Sequence, residues 1–337
     1  MNAPAVSYLH EDRGSAAWDA ETDGWLLHLD ALRRSPETLR NYRAALGGFR
    51  AAVEATGRSV DPARVERPDV ERWLVALREG GTGPASVQSR YRVVKGFFGW
   101  LVEEGVLGRS PFAGVPKPKA PTPETPTLEA EAIGKLLATC HGRSFAALRD
   151  RAIVLLMLDA GLRRSEVCGL LVTDVDLKLG EARIIGKGEK RRLARFGPDT
   201  ADALSRYITR ARADHPRAER AEPVAYGRVG LPLWLGAGPD GGPSRRGALD
   251  GSSLYRMLER RARAAGIGPI HPHMFRHTWT DGLLSSGHEE GDVMTLGGWA
   301  DRAMLNRYGA VQRARRASAH YRSPVSELWS REAKSKR

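Results

Sequence analysis

The sequence predicts a mainly α-helical protein of two domains, with a small β-hairpin or sheet confined to the second. Three observations lead there. The chain has 337 residues, enough for about two domains at roughly 150 residues each. Between Pro116 and Pro126, five of eleven residues are proline, a stretch that packs as neither helix nor central strand and reads as an extended linker. Ahead of it the apolar residues repeat at helical spacing throughout, whereas beyond it one short segment alternates with period two. The expected organisation is a helical domain over 15–115, a linker over 116–126, a mixed domain over 127–318 and a basic tail over 319–337.

In the first domain, shorter helices fit 15–32 and 68–79. Ser35-Pro36-Glu37 is a helix start, with Ser35 placed to cap and Pro36 at the first helical position. Leu39, Tyr42, Leu46, Phe49 and Val53 then mark one buried face. Val87, Tyr91, Val94, Phe98 and Leu101 repeat that pattern after Pro84, and Gly105 ends the helix. Arg40 and Arg43 on the earlier helix, and Arg90, Arg92 and Lys95 on the later one, fall off the apolar stripe. They form either a solvated face or a surface that tracks phosphates. In the second domain, 144–160 is apolar all round, from Ile153 to Leu158, and should be buried. A hairpin follows, from Ala182-Arg-Ile-Ile185 through the turn Gly186-Lys187-Gly188 to Arg191-Arg-Leu-Ala-Arg-Phe196. Helices then fit 199–213, 252–265, 272–286, 290–297 and 301–309. The stretch 222–251, rich in glycine and proline, reads as an irregular connection.

Composition narrows the partners. Apolar residues make up 41% and charged residues 28%, as in an ordinary globular protein. No apolar run approaches the ~20 residues that span a bilayer, and the N-terminal stretch lacks the pattern of an export signal, so a cytoplasmic protein is expected. The two cysteines, Cys140 and Cys168, lie in separate apolar stretches and read as buried free thiols. The formal charge of +13 favours a polyanion, nucleic acid before an anionic membrane surface. Ten Lys and Arg against Glu327 and Glu332 lie within 302–337.

Three segments could carry chemistry. Gly161-Leu-Arg163-Arg164-Ser-Glu166 places an arginine at a helix end, where it either caps carbonyls or holds an anion with Glu166 bracing its guanidinium. His271-Pro-His273-Met-Phe-Arg276-His277 puts His273, Arg276 and His277 on one helical face. Two histidines at this spacing suit zinc, but an arginine lies between them and no carboxylate is within reach, so no metal is expected. Leu296-Gly-Gly-Trp299 is followed by Tyr308, which is either a half-buried packing residue or a nucleophile whose cationic neighbours lower its pKa. A GxxxxGK[ST] phosphate loop and the paired carboxylates of two-metal nucleases are both lacking. A cationic set with one histidine and one tyrosine suits metal-free phosphoryl transfer at a diester.

In order and spacing these segments resemble the tyrosine recombinase, or phage integrase, family. Gly161–Glu166 is similar to its first arginine box and Lys187, 24 residues after Arg163, to its hairpin lysine. His273-Met-Phe-Arg276-His277 is similar to its HxxRH box, and Leu296–Trp299 with Tyr308 to its terminal box. The first domain resembles the family's SAM-like core-binding domain. The resemblance implies a DNA breaking-and-rejoining fold, a C-shaped clamp on duplex DNA and homotetramers on paired sites, with no cofactor. It implies that Tyr308 attacks the scissile phosphate, Arg163 and Arg276 hold its oxygens, Lys187 protonates the leaving 5′-oxygen and His273 exchanges the tyrosine proton, with Glu166 and His277 in support. It also implies DNA contacts from Arg40, Arg43, Arg90, Arg92 and Lys95. Trp299 stands where many members carry histidine, although Cre-type enzymes also place tryptophan there; it can donate a hydrogen bond but not shuttle a proton. A first helix starting near residue 15 leaves no room for an arm-site domain, so a simple Xer- or Cre-like layout is expected. Apolar Val325, Leu328 and Trp329 in the tail would dock on a neighbouring protomer or on their own domain. Two other activities remain compatible with these residues: a type IB topoisomerase-like relaxation of DNA, and DNA binding without catalysis.

Overall fold

A computed structural model describes residues 5–58, 60–121, 126–186, 191–299 and single positions beyond, with backbone alone at 5–13 and 246. The chain packs as two compact units, Met1–Thr122 and Pro123–Arg337.

Among the described residues the first unit has four α-helices, α1 (Ala5–Ala31), α2 (Pro36–Glu54), α3 (Arg67–Glu79) and α4 (Pro84–Glu103). Its helix starts follow local chemistry: the Ser35 hydroxyl accepts the Thr38 N–H at 3.2 Å, and proline stands in the first turn of α2, α3 and α4. The expected start of α1 near residue 15 is corrected, because the helix begins ten residues earlier, at Ala5. The core is aromatic. Trp18 stacks on Phe49 at 5.9 Å, and Phe49 meets Trp73 edge to face at 5.0 Å, geometries that suit the ring quadrupoles. Tyr91, buried in α4, donates its hydroxyl to the Val115 carbonyl at 2.9 Å, fastening the chain leaving the unit to its core.

The second unit is organised around α6 (Phe145–Ala160), preceded by α5 (Ala130–Ala138). Ile153, Val154, Leu156 and Met157 of α6 are fully buried, as its all-round apolar pattern requires. Packed on it are α8 (Pro198–Arg206), α10 (Pro272–Ser285) and strand β3. The strands β1 (Val175–Asp176), β2 (Glu181–Ile185) and β3 (Arg191–Arg195) form an antiparallel sheet in the order β1-β2-β3. In β2 and β3 the pleat turns Ala182, Ile184 and Ala194 inward and leaves Arg183 and Leu193 outside. The remaining helices are α7 (Arg164–Cys168), α9 (Gly251–Ala264) and α11 (Glu290–Gly297). Both cysteines are buried free thiols, and burial pushes the Cys168 thiol up to about 12.

The structure departs from the sequence expectation in two places here. The helix expected over 199–213 keeps α pitch only to Arg206 and widens to a π turn over Tyr207–Arg212. The stretch 222–251 is ordered by two short antiparallel pairs, β4 (Glu222–Pro223) with β5 (Val229–Gly230) and β6 (Leu235–Ala237) with β7 (Pro243–Ala248). Two arginines pin this stretch down: Arg228 forks onto Asp174 at 2.8 and 2.9 Å, and Arg212 donates to the Pro232 carbonyl at 3.0 Å. Buried Tyr207 donates to the Leu233 carbonyl at 3.0 Å and accepts the Leu235 N–H at 3.1 Å. Removing that hydroxyl leaves two buried backbone groups without their partner. Tyr207→Phe is therefore expected to lower the unfolding free energy by about 1–3 kcal/mol, read as a shifted urea midpoint at unchanged slope.

Candidate active site

The site lies in the second unit, at the end of α6. There Gly161 turns the chain out of the helix at φ 57°, a left-handed conformation suited to glycine. Space imposes the same choice, since a Cβ at Gly161 would come within 2.3 Å of the Trp279 ring. The turn delivers Arg163 to the start of α7, and Glu166, one turn on, is 2% exposed. One carboxylate oxygen of Glu166 accepts the Arg163 Nη1 at 2.7 Å, and the other accepts the Arg163 backbone N–H at 2.9 Å. A second guanidinium, Arg192 of β3, donates to that other oxygen at 2.8 Å. Burial works to raise the Glu166 pKa, but Arg192 and Arg163 outweigh it and hold the carboxyl below its ordinary value.

The HxxRH helix α10 enters from the other side, with Pro272 in its first turn. Arg276 is 4% exposed, and its Nη1 donates to the Gly161 carbonyl at 2.7 Å while its Nη2 donates to the Gly297 carbonyl. The first arginine box, the HxxRH helix and the end of α11 are thereby tied together by one side chain. The Trp299 ring covers the Arg276 guanidinium at 4.6 Å and meets Trp279 edge to face at 6.5 Å. Gly297 is needed at this crossing, since a Cβ there would approach Trp299 to 3.1 Å and Arg276 to 3.2 Å.

The histidines sit in a positive field. His273 points outward, yet the protein crowded around it, together with His271, Arg276, Arg164 and Arg163, holds its pKa below the ordinary value. His277 lies deeper, and burial, aided by His273 and Arg276, takes it down to about 4. Both rings are therefore neutral near pH 7, with His277 held the more firmly so. Among the described residues no group of three His, Cys, Asp or Glu could hold a metal ion, and no helix is long and apolar enough to cross a membrane.

The structure thus gathers Arg163, Glu166, His273, Arg276, His277 and Trp299. Lys187 and Tyr308 lie outside the described residues. Sequence reasoning missed Arg192, although a signal was present. In Arg191-Arg-Leu-Ala-Arg-Phe196 the alternation that turns Ala194 and Phe196 inward also turns Arg192 inward, and an inward arginine needs a buried partner. In the first unit, Arg40, Arg43, Arg90, Arg92 and Lys95 are all exposed. Arg43 is paired with Asp23 at 2.7 Å, and the Lys95 ammonium lies 5.7 Å from the Tyr91 ring. Arg90 borders a 520 Å³ groove between α2 and α4, floored by small residues such as Ala44, Ala45 and Ser86 and edged by Asn41.

Comparison with known proteins finds one family for both units. The family model "Phage integrase family" matches residues 126–315, and that of the phage integrase N-terminal SAM-like domain matches 22–105. The tyrosine recombinase XerD of Listeria monocytogenes is 28% identical over 283 residues, covering 83% of this chain and 90% of that protein. The tyrosine recombinase XerC of Pseudomonas aeruginosa is 29% identical over 309 residues, covering 90% and 94%. Among solved structures, the Tn1549 transposon integrase with a circular intermediate DNA superposes with TM-score 0.67 at 17% identity, over 94% of this chain and 99% of that one. The XerH recombinase bound to a palindromic difH substrate gives 0.66 at 18% identity, over 84% and 78%. At such identities the structural likeness is one of fold.

Two outcomes follow from the site geometry. Gly161→Ala forces both a left-handed alanine and a collision with Trp279, and is expected to cost about 2–4 kcal/mol and to lower the melting temperature. The histidines impose a pH dependence of known sign. Folding lowers the pKa of His277 from 6.5 to about 4, so the unfolded chain takes up protons first as pH falls. The stability linked to this ring is complete above pH 6.5 and is lost as pH falls towards 4. Melting temperatures across that window should decline, and His277→Asn should flatten the decline.

Proposed function

Since the chain belongs to the phage integrase family, we propose that it is a site-specific DNA recombinase that cuts and rejoins duplex DNA through a 3′-phosphotyrosyl intermediate. Tyr308 attacks the scissile phosphate, the phosphotyrosyl bond forms as the bond to the 5′-oxygen breaks, and Lys187 gives that oxygen its proton. Arg163 and Arg276 hold the nonbridging oxygens as negative charge grows on them. His273 takes the proton of the tyrosine hydroxyl. Glu166 braces Arg163, while His277 and Trp299 support Arg276 and the helix that carries it. The diester energy is kept in the covalent link, so the reaction needs neither ATP nor a cofactor.

The observation that carries this reading is that Arg163 and Arg276 are each aimed by hydrogen bonds, one onto the buried Glu166 carboxylate and the other onto the Gly161 carbonyl, beside a histidine that is neutral near pH 7. Such fixed guanidiniums suit a phosphodiester oxygen pair. The first unit would serve as core-binding domain and the second as catalytic domain, with Arg40, Arg90, Arg92 and Lys95 tracking backbone phosphates and the groove beside Arg90 facing the duplex. Arg43 would join them once released from Asp23. Four copies would assemble on two paired sites in the bacterial cytoplasm, at the nucleoid. Of the tail residues, Val325 is exposed, and Leu328 and Trp329 lie outside the described residues. A 300 Å³ pocket bordered by Trp279, Leu283, His288 and Leu296 would receive such an apolar tail from a neighbouring copy.

The test is covalent capture in EDTA on a suicide duplex nicked beside the cleavage position, built from DNA flanking the gene. The expected result is a protein–DNA adduct on a denaturing gel that vanishes in Tyr308→Phe and forms at least ~10²-fold more slowly in Arg163→Ala or Arg276→Ala. An adduct that persists in Tyr308→Phe refutes the nucleophile. A two-site substrate then separates recombination, which yields exchanged products, from simple relaxation.

A further inference from the structure

Arg192 belongs to none of the sequence boxes, yet from its own strand it reaches two other elements that build the site. It projects from β3, the strand paired with β2 just beyond Lys187 in the sequence. Its Nη2 donates to the Glu166 carboxylate at 2.8 Å and its Nη1 to the Leu296 carbonyl at 2.9 Å. The next carbonyl, that of Gly297, is held by Arg276. The last turn of α11, whose carbonyls have no partner within the helix, is therefore capped by two guanidiniums from opposite sides of the site. The Arg192 side chain is 11% exposed, and its buried Nε meets no acceptor among the described residues. Its aim is thus set by the two terminal nitrogens. Close packing holds it in line, because a Cβ at Gly298 would lie 2.8 Å from the Arg192 Cδ.

Charge gives this arrangement a consequence. A carboxylate that braced Arg163 alone would also cancel its charge, leaving a neutral pair where a phosphate must bind. With Arg192 on the same carboxylate, two positive charges share one negative, and a surplus of one remains. Glu166 can then aim Arg163 without disarming it. We propose that Arg192 is a positioning residue for strand cleavage: it holds Glu166 ionised, leaves Arg163 its charge, and fixes the end of α11 to the hairpin. This rests on reading the site as a phosphoryl-transfer centre.

The experiment compares wild type with Arg192→Gln, Arg192→Lys, Glu166→Gln and the double variant Glu166→Gln/Arg192→Gln. The double variant leaves no unpaired charge in the buried position and so guards against simple unfolding. On the suicide duplex at saturating protein, Arg192→Gln should cleave about 10²-fold more slowly, the scale of loss for a misaimed catalytic group, with DNA affinity within about threefold of wild type. Arg192→Lys should recover part of the rate by restoring charge, and the double variant should be less impaired than the product of the two single losses. Cleavage by Arg192→Gln within about threefold of wild type, or effects of the two substitutions that simply multiply, would overturn the proposal. A second readout needs no catalysis: without Arg192 the Glu166 carboxyl should protonate at higher pH, so Arg192→Gln should lose stability on acidification earlier than wild type, and Glu166→Gln/Arg192→Gln should not. Coincident acid transitions for Arg192→Gln and wild type would refute the role of Arg192. If wild type itself gives no adduct, the recombinase reading fails instead, and the acid transitions still decide for or against Arg192.

Discussion

One buried carboxylate sets the constraints on the catalytic unit. Glu166 is almost sealed from solvent and is met by Arg163 from its own turn and Arg192 from the hairpin. Taking a carboxylate out of water costs several kcal/mol unless its charge and lone pairs are matched. Three segments must therefore arrive together: the turn after α6, the inward face of β3, and, through the other nitrogen of Arg192, the end of α11. Withdrawing either arginine strands a charge, and withdrawing the end of α11 leaves an Arg192 nitrogen without its acceptor. This explains why a sheet of three short strands is kept beside so helical a unit. Two paired strands fix the direction of an arginine more firmly than an exposed loop could.

A second, apolar arrangement serves the other arginine. Trp279 fills the space that a side chain at Gly161 would occupy, Trp299 leans on Trp279, and Arg276 lies against the Trp299 face. A guanidinium is weakly hydrated and planar, so it accepts an aromatic wall that would suit a lysine ammonium less well. The tryptophan at 299 can thus be understood without any proton chemistry: it dries one side of Arg276 and leaves its nitrogens to the carbonyls of Gly161 and Gly297. The glycines at 161 and 297 are the spatial counterpart of these large groups.

Much of this was legible in the sequence, and what was missed has physical reasons. The starts of α2 and α4 were readable because Ser35-Pro36 and Gly83-Pro84 satisfy local rules that tertiary contacts do not override. The boxes around Arg163 and Arg276 were readable because their residue types stand at fixed helical spacings. The strands of 222–251 were not, since a pair such as β6 and β7 forms between glycine-rich segments whose ladder depends on Glu222, far off in sequence, accepting the Ala248 N–H. The π widening after Arg206 has no local signal either, as it serves the contacts of Tyr207 with Leu233 and Leu235. Arg192 was a different kind of miss. Its inward register was implied by Ala194 and Phe196, but a charged residue within a basic strand reads first as surface.

The arginines proposed to hold a phosphate also add to the effect of burial on the histidines, and on that reading binding is joined to proton transfer. With no anion present, Arg163, Arg164 and Arg276 help keep His273 neutral. A phosphodiester carries charge of the opposite sign into that field and would raise the proton affinity of His273. A pentacovalent transition state carries more negative charge still, so in the proposed mechanism the ring would become a better base as the tyrosine hydroxyl gives up its proton. His277, held near 4 by burial behind it, stays neutral throughout and cannot compete for that proton. Under the proposed mechanism fixed charges and titrating rings would divide the work: the guanidiniums would define where the phosphate sits, and the phosphate would then decide when His273 takes a proton. A site built with carboxylates in place of these arginines would reverse the order, holding the histidine protonated before substrate arrived and leaving no base for the nucleophile.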